Sequence, residues 1–190
     1  MGSYSKQKGA SFERTVSEIL SHWASDMMRK DVFWRSAGSG SRFTAANRGR
    51  VTLNPEFRLD IGDIVARDAL GALLLDIFVV ECKDWASLDL RDFFYQQPSA
   101  LLGGEWLKLA NLADKSTKMP LMIAKEKLRR PFVLTTAAGY AKLCTGLTPG
   151  QTLEVRANFP CYDIVFIALP EVIANVSYSK VFGCTNLVSR

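Results

Sequence analysis

Apolar residues recur along this chain in two rhythms. Over 9–29, Phe12, Val16, Ile19, Leu20 and Trp23 fall at helical spacing and make one stripe, which predicts an amphipathic helix. Ser11 is its candidate cap, although Arg14 three residues later leaves no capping box. "DVFWR" at 31–35 reads as a short strand, and "SAGSGS" at 36–41 reads as a loop that runs on through a polar, basic segment. "DIGDIVARD" (60–68) and "ALGALLLDIFVVECKDW" (69–85) predict two strands that turn near Asp68–Gly71 and pair. The second is almost unbroken in apolar residues, as a central strand is. Leu102, Trp106, Leu109 and Leu112 or Ala113 predict a helix over 101–115, and "RRPFVLTT" (129–136) and "CYDIVFIAL" (161–169) predict further strands. The order α-β-loop-β-β-α-β-β predicts a mixed α/β domain.

Composition narrows the chemistry. With 190 residues, 48% hydrophobic, the chain can bury one substantial core, and a single domain over 1–190 is expected. No run reaches the roughly 18 apolar residues of a membrane span, and the polar start "MGSYSKQKGASFERT" does not read as a secretory signal. A cytoplasmic location with reduced thiols is therefore expected. Cys82, Cys144, Cys161 and Cys184 form no CxxC pair, and His22 is the one histidine. That pattern argues against a Cys/His zinc site and against most Ser-His-Asp and Cys-His schemes. Hydrolytic chemistry here has to run on carboxylates and lysine, with or without a metal.

Charge points to a partner. Residues 1–58 hold ten Lys/Arg against five Asp/Glu, so the whole net charge of +5 lies in the first third. A second basic stretch is "KSTKMPLMIAKEKLRR" at 115–130. Basic clusters of this kind suit a polyanion such as DNA.

"VVECKDW" at 79–85 carries the candidate chemistry. Side chains alternate along a strand, so Glu81 and Lys83 point the same way and Val80 and Cys82 the other. Charges at the end of a buried run cost free energy unless something holds them. If 60–66 paired with 74–82, Asp63 would approach Glu81, with Gly62 permitting a bend. Carboxylates without imidazole or thiolate suit a hard cation such as Mg²⁺, with Mn²⁺ as substitute. A lysine beside them can orient or deprotonate a water, or stabilise negative charge.

Asp63 followed by Glu81-Cys82-Lys83 resembles the PD-(D/E)xK nuclease signature, with Gly62 where that motif usually has proline. "KGASFERTVSEIL" followed by "WRSAGSGS" resembles the archaeal-type Holliday junction resolvases, a group with phage relatives. The resemblance covers roughly 8–136 and leaves 137–190 as a C-terminal extension. It implies a restriction-endonuclease-like core with a central mixed β-sheet flanked by helices. It implies Asp63 and Glu81 as metal ligands, with the Cys82 carbonyl and Glu13 as further ones, and Lys83 positioning the water. It also implies DNA contacts from Lys8, Arg14, Arg35, Ser36, Ser39 and Arg42, and a homodimer on branched DNA. Such families often place a glutamine or lysine of the following helix near the site; Gln96, Gln97 and Lys108 are the candidates. The implied activity is a metal-dependent endonuclease resolving four-way junctions. A nuclease on linear duplex or flap DNA, or an inactive DNA-binding protein of the same fold, are the alternatives.

Overall fold

The computed structural model describes residues 2–36, 61–88, 100–145, 147, 154–159 and 162–183. They fall in two compact units, Met1–Asp76 and Ile77–Arg190.

In the first unit, helix α1 (Gly2–Ala24) buries Phe12, Val16, Leu20 and Trp23, the stripe that periodicity predicts. The helix starts well before residue 9, so Ser11 is interior and not a cap; its carbonyl accepts from the Thr15 hydroxyl, 3.1 Å. It also stops short of 29, where Asp26 (φ 49°) and Met27 (φ 69°) turn left-handed and the Met27 N–H closes on the His22 carbonyl at 2.7 Å. Strand β1 (Phe33–Arg35) packs on α1. Buried Ser21 fixes that contact: its hydroxyl donates to the Ser17 carbonyl (2.7 Å) and accepts from the Phe33 N–H (2.9 Å). Strand β2 (Ile64–Ala66) runs antiparallel to β1 with Arg35 opposite Ile64.

Residues 69–75 correct the expected strand. "ALGALLL" is helix α2 (Ala69–Leu75), and Asp68 caps it by accepting from the Gly71 N–H at 3.1 Å. Among the described residues the ladder expected between 60–66 and 74–82 is not seen: β2 takes β1 as its neighbour. An apolar run without polar interruptions has no period, and the cap was the signal that distinguished helix from strand.

The second unit is a five-stranded mixed sheet, in the order β3-β4-β5-β7-β6. Its strands are β3 (Phe78–Trp85), β4 (Met119–Glu126), β5 (Phe132–Thr136), β6 (Glu154–Phe159) and β7 (Tyr162–Ala168). β3 and β4 are parallel and the other neighbours antiparallel. A parallel pair needs a crossover, and helix α3 (Ala100–Lys115) supplies it, packing on β3 and β4 with Leu102, Trp106, Leu109 and Ala113 buried. Helices α4 (Ala137–Leu143) and α5 (Leu169–Asn175) pack on the antiparallel part, and α6 (Tyr178–Phe182) follows. The basic stretch 115–130 is thus no continuous surface: Leu121–Ala124 are buried in β4, while Lys127, Arg129 and Arg130 are exposed in the turn beyond it. The strand expected at 161–169 is β7, and β6 beside it was not anticipated.

Candidate active site

In the first unit the candidate residues gather where β1 ends and β2 begins. Glu13 lies on α1 directly after buried Phe12, so the helix turns its carboxylate inward; the residue is 8% exposed. Arg35, last in β1, donates from Nε to Glu13 Oε2 at 2.9 Å. Ser36 and Asp63 stand one step further along the ladder. The Ser36 N–H donates to the Asp63 carbonyl at 2.7 Å, and both residues are buried. Gly62 has φ 99°, a backbone that residues with a Cβ rarely adopt. Proline could not take it either, since its ring holds φ near −65°, so glycine before the aspartate answers a local geometry. Lys8 is half-buried on α1 and Arg14 exposed. Ser39, Arg42, Gln96 and Gln97 lie outside the described residues.

In the second unit, β3 leaves the core as its sequence turns from Phe-Val-Val to Glu-Cys-Lys-Asp. Glu81 and Lys83 share a face as alternation requires, and Lys83 Nζ stands 2.9 Å from Glu81 Oε1. Cys82 points away from them and is buried, with Ile123 of β4 beside it in register. Asp84, on the Cys82 side, pairs across the ladder with Lys125 at 3.5 Å.

A further carboxylate meets Lys83 from α3. Glu105 Oε2 is also 2.9 Å from Lys83 Nζ, and Glu105 Oε1 accepts from Lys108 Nζ at 2.6 Å. Sequence reasoning considered Lys108 and passed over Glu105. The signal was there: Glu105 sits three residues after Leu102 and four before Leu109, on the margin of the buried stripe. Lys108 is instead the outermost member of the chain of charges, 74% exposed.

The electrostatics follow from this packing. Burial pulls the Lys83 ammonium down, but the charge of Glu81 and hydrogen bonds to Glu105 and Glu81 outweigh it and hold the pKa well above the ordinary lysine value. Burial raises Glu105, and hydrogen bonds from Lys108 and Lys83 outweigh that, leaving its carboxyl below the usual range. Held this way, Lys83 is a proton-bearing donor, suited to orienting a water or offsetting negative charge rather than to removing a proton.

Among the described residues, no group of three or more His, Cys, Asp or Glu side chains is gathered into a metal cage. Mg²⁺ characteristically takes one or two carboxylates and keeps several waters. Asp63 and Glu81 are oxygen donors of that kind. No described helix is long and apolar enough to cross a membrane.

A family model described as "Phage putative PDDEXK endonuclease" matches residues 4–182. The match takes in 137–182, which the sequence resemblance had left outside. No curated protein and no solved structure matches the chain.

Proposed function

The chain belongs to this phage PDDEXK endonuclease family, and from that premise we propose a metal-dependent endonuclease that hydrolyses DNA phosphodiester bonds, with four-way or other branched DNA as substrate. The mixed sheet flanked by helices is the restriction-endonuclease-like architecture the family implies. The observation that carries the reading is the contact between Glu81 and Lys83 at the end of β3, both side chains less than a quarter exposed.

The family motif brings its aspartate and its Glu-x-Lys to one cation, so Asp63 and Glu81 are the proposed ligands, with the Cys82 carbonyl beside them and Glu13 as a further acid. A bound Mg²⁺ or Mn²⁺ would polarise a phosphoryl oxygen and acidify a water. Lys83 orients the attacking water and offsets the charge that develops on the phosphate. Water attacks phosphorus, the 3′ oxygen leaves, and the product carries a 5′-phosphate. Lys8, Arg14 and Arg35 are proposed to meet phosphates, with Ser36, and with Ser39 and Arg42 on the segment outside the described residues. Paired incisions across a junction need two sites related by two-fold symmetry, which is the reason for proposing a homodimer.

The test is direct. Purified protein with Mg²⁺ or Mn²⁺ is offered junction, duplex, flap and single-stranded DNA side by side. Asp63→Asn and Glu81→Gln should abolish cleavage while binding persists, because phosphate contacts supply most of the affinity and make it fall steeply with salt. Undiminished cleavage by Glu81→Gln would remove the assignment, and equal cutting of junction and linear arms would remove the branched substrate.

A further inference from the structure

Lys83 is held from two separate elements. Glu81 reaches it from the same strand and Glu105 from α3, each at 2.9 Å. The two anchors differ in character. Glu81 is the carboxylate proposed above to face the cation, so an ammonium and a metal ion compete for its oxygens. Glu105 lies outside the Glu-x-Lys motif and sits on a helix fixed by buried Leu102, Trp106 and Leu109. Its other oxygen is taken by Lys108 at 2.6 Å, which settles the orientation of the carboxylate.

A lysine has a flexible four-carbon stem and three ammonium donors. One anchor leaves the nitrogen free to swing about that contact, whereas two anchors on different elements define its position. Placement of a reacting group to within an ångström is worth large factors in rate. We propose that Glu105 is a positioning residue: it holds the Lys83 ammonium in place independently of Glu81, and Lys108 orients Glu105 in turn. The proposal rests on the nuclease reading of the same site. Its content is that Glu105 acts through Lys83, and that a tie between α3 and β3 is not its whole purpose.

A double-mutant cycle separates these roles. Glu105→Gln should lower the single-turnover cleavage rate about 10- to 100-fold, the usual cost of losing an outer partner of a site residue, while the Kd for DNA stays within about twofold. In a Lys83→Met background the same substitution should cost less than about twofold, because the group it positions is gone. A comparable loss in both backgrounds would overturn the proposal. A second reading needs neither metal nor DNA. The Lys83 ammonium should give a ¹⁵Nζ–H signal slow enough in exchange to observe, and Glu105→Ala, which leaves no acceptor, should erase it. Persistence of the signal unchanged would also overturn the proposal. Should Glu105→Gln fail to fold, Glu105→Asp, whose carboxylate is one methylene short of Lys83, carries the same cycle. Wild-type protein that cuts no DNA fails the nuclease reading itself, and the ammonium signal then still decides whether Glu105 holds Lys83.

Discussion

Removing the charge on Arg35 should harm the fold more than removing the charge on Glu13. The two side chains meet at 2.9 Å and are 29% and 11% exposed, respectively. Exposed pairs contribute up to about 1 kcal/mol, and breaking a fully buried pair costs about 3–5 kcal/mol. This pair lies between those limits, nearer the buried one on the Glu13 side. Arg35→Met keeps most of the stem and takes the guanidinium from the carboxylate, at a cost of about 2 kcal/mol. Glu13→Gln removes the more deeply buried charge and leaves an amide oxygen able to accept from Arg35 Nε, for a cost near 1 kcal/mol or less. For a chain of this size 1 kcal/mol moves Tm by roughly 2–4 °C. Arg35→Met should therefore lower Tm by about 4–8 °C, and Glu13→Gln by less than about 4 °C. Circular dichroism melts at neutral pH, paired with urea unfolding, measure both. A Glu13→Gln protein as unstable as Arg35→Met would refute the idea that a deeply buried charge is the costly half of the pair.

Other outcomes follow from the second unit. Glu105 has a folded pKa below its ordinary 4.5, so the folded state binds fewer protons there than the unfolded chain. Its contribution is complete above about pH 4.5 and is lost as pH falls through the folded value, so the Tm gap between wild type and Glu105→Gln should narrow as pH falls below 4.5; an undiminished gap contradicts this. Lys83 has the opposite sign, its contribution complete below its ordinary 10.5 and lost only at higher pH, so a melt series from pH 7 to about 10 should show no decline attributable to it. Gly139→Ala should destabilise by about 1–3 kcal/mol, although alanine is the better helix former, because the new Cβ would overlap the Thr135 hydroxyl and lie 3.3 Å from Phe78. That hydroxyl donates to the Pro120 carbonyl at 2.8 Å, and urea denaturation showing no loss would mean the neighbours yield more readily than their burial indicates.

What the sequence disclosed depended on whether local pattern and burial agreed. The α1 stripe was legible because every fourth residue or so goes to the core, but its first turns were not, since residues 2–8 carry no apolar period. β4 was hidden by its flanks: Lys115, Lys118, Lys125 and Lys127 make the window read as basic while Leu121–Ala124 vanish into the sheet. Asp63, Glu81 and Lys83 stand as candidates by motif, and the shared face of Glu81 and Lys83 follows from alternation. The two-sided grip on Lys83 does not, because Glu105 follows across a crossover and its approach depends on how α3 lies on β3. The strand expected over 69–75 failed on a single cap residue, Asp68, whose side chain starts a helix where an apolar run read as strand.

The strand bearing Glu81 and Lys83 is also the one whose pairing closes over the longest neighbouring connection. β4 meets β5 across residues 127–131, and β7 meets β6 across 160–161, whereas β3 reaches β4 only after 86–118. While that crossover is still flexible chain, closing it costs about 1.7 kcal/mol more than closing the 127–131 turn. The β4–β5 and β6–β7 hairpins can therefore zip early, whereas the β3–β4 seam, closed over 86–118, and the β5–β7 seam, closed over 137–161, form late. Collapse and competence are then separate events: a newly made chain can hold both hairpins while Lys83 and Glu105 still lie on unjoined segments.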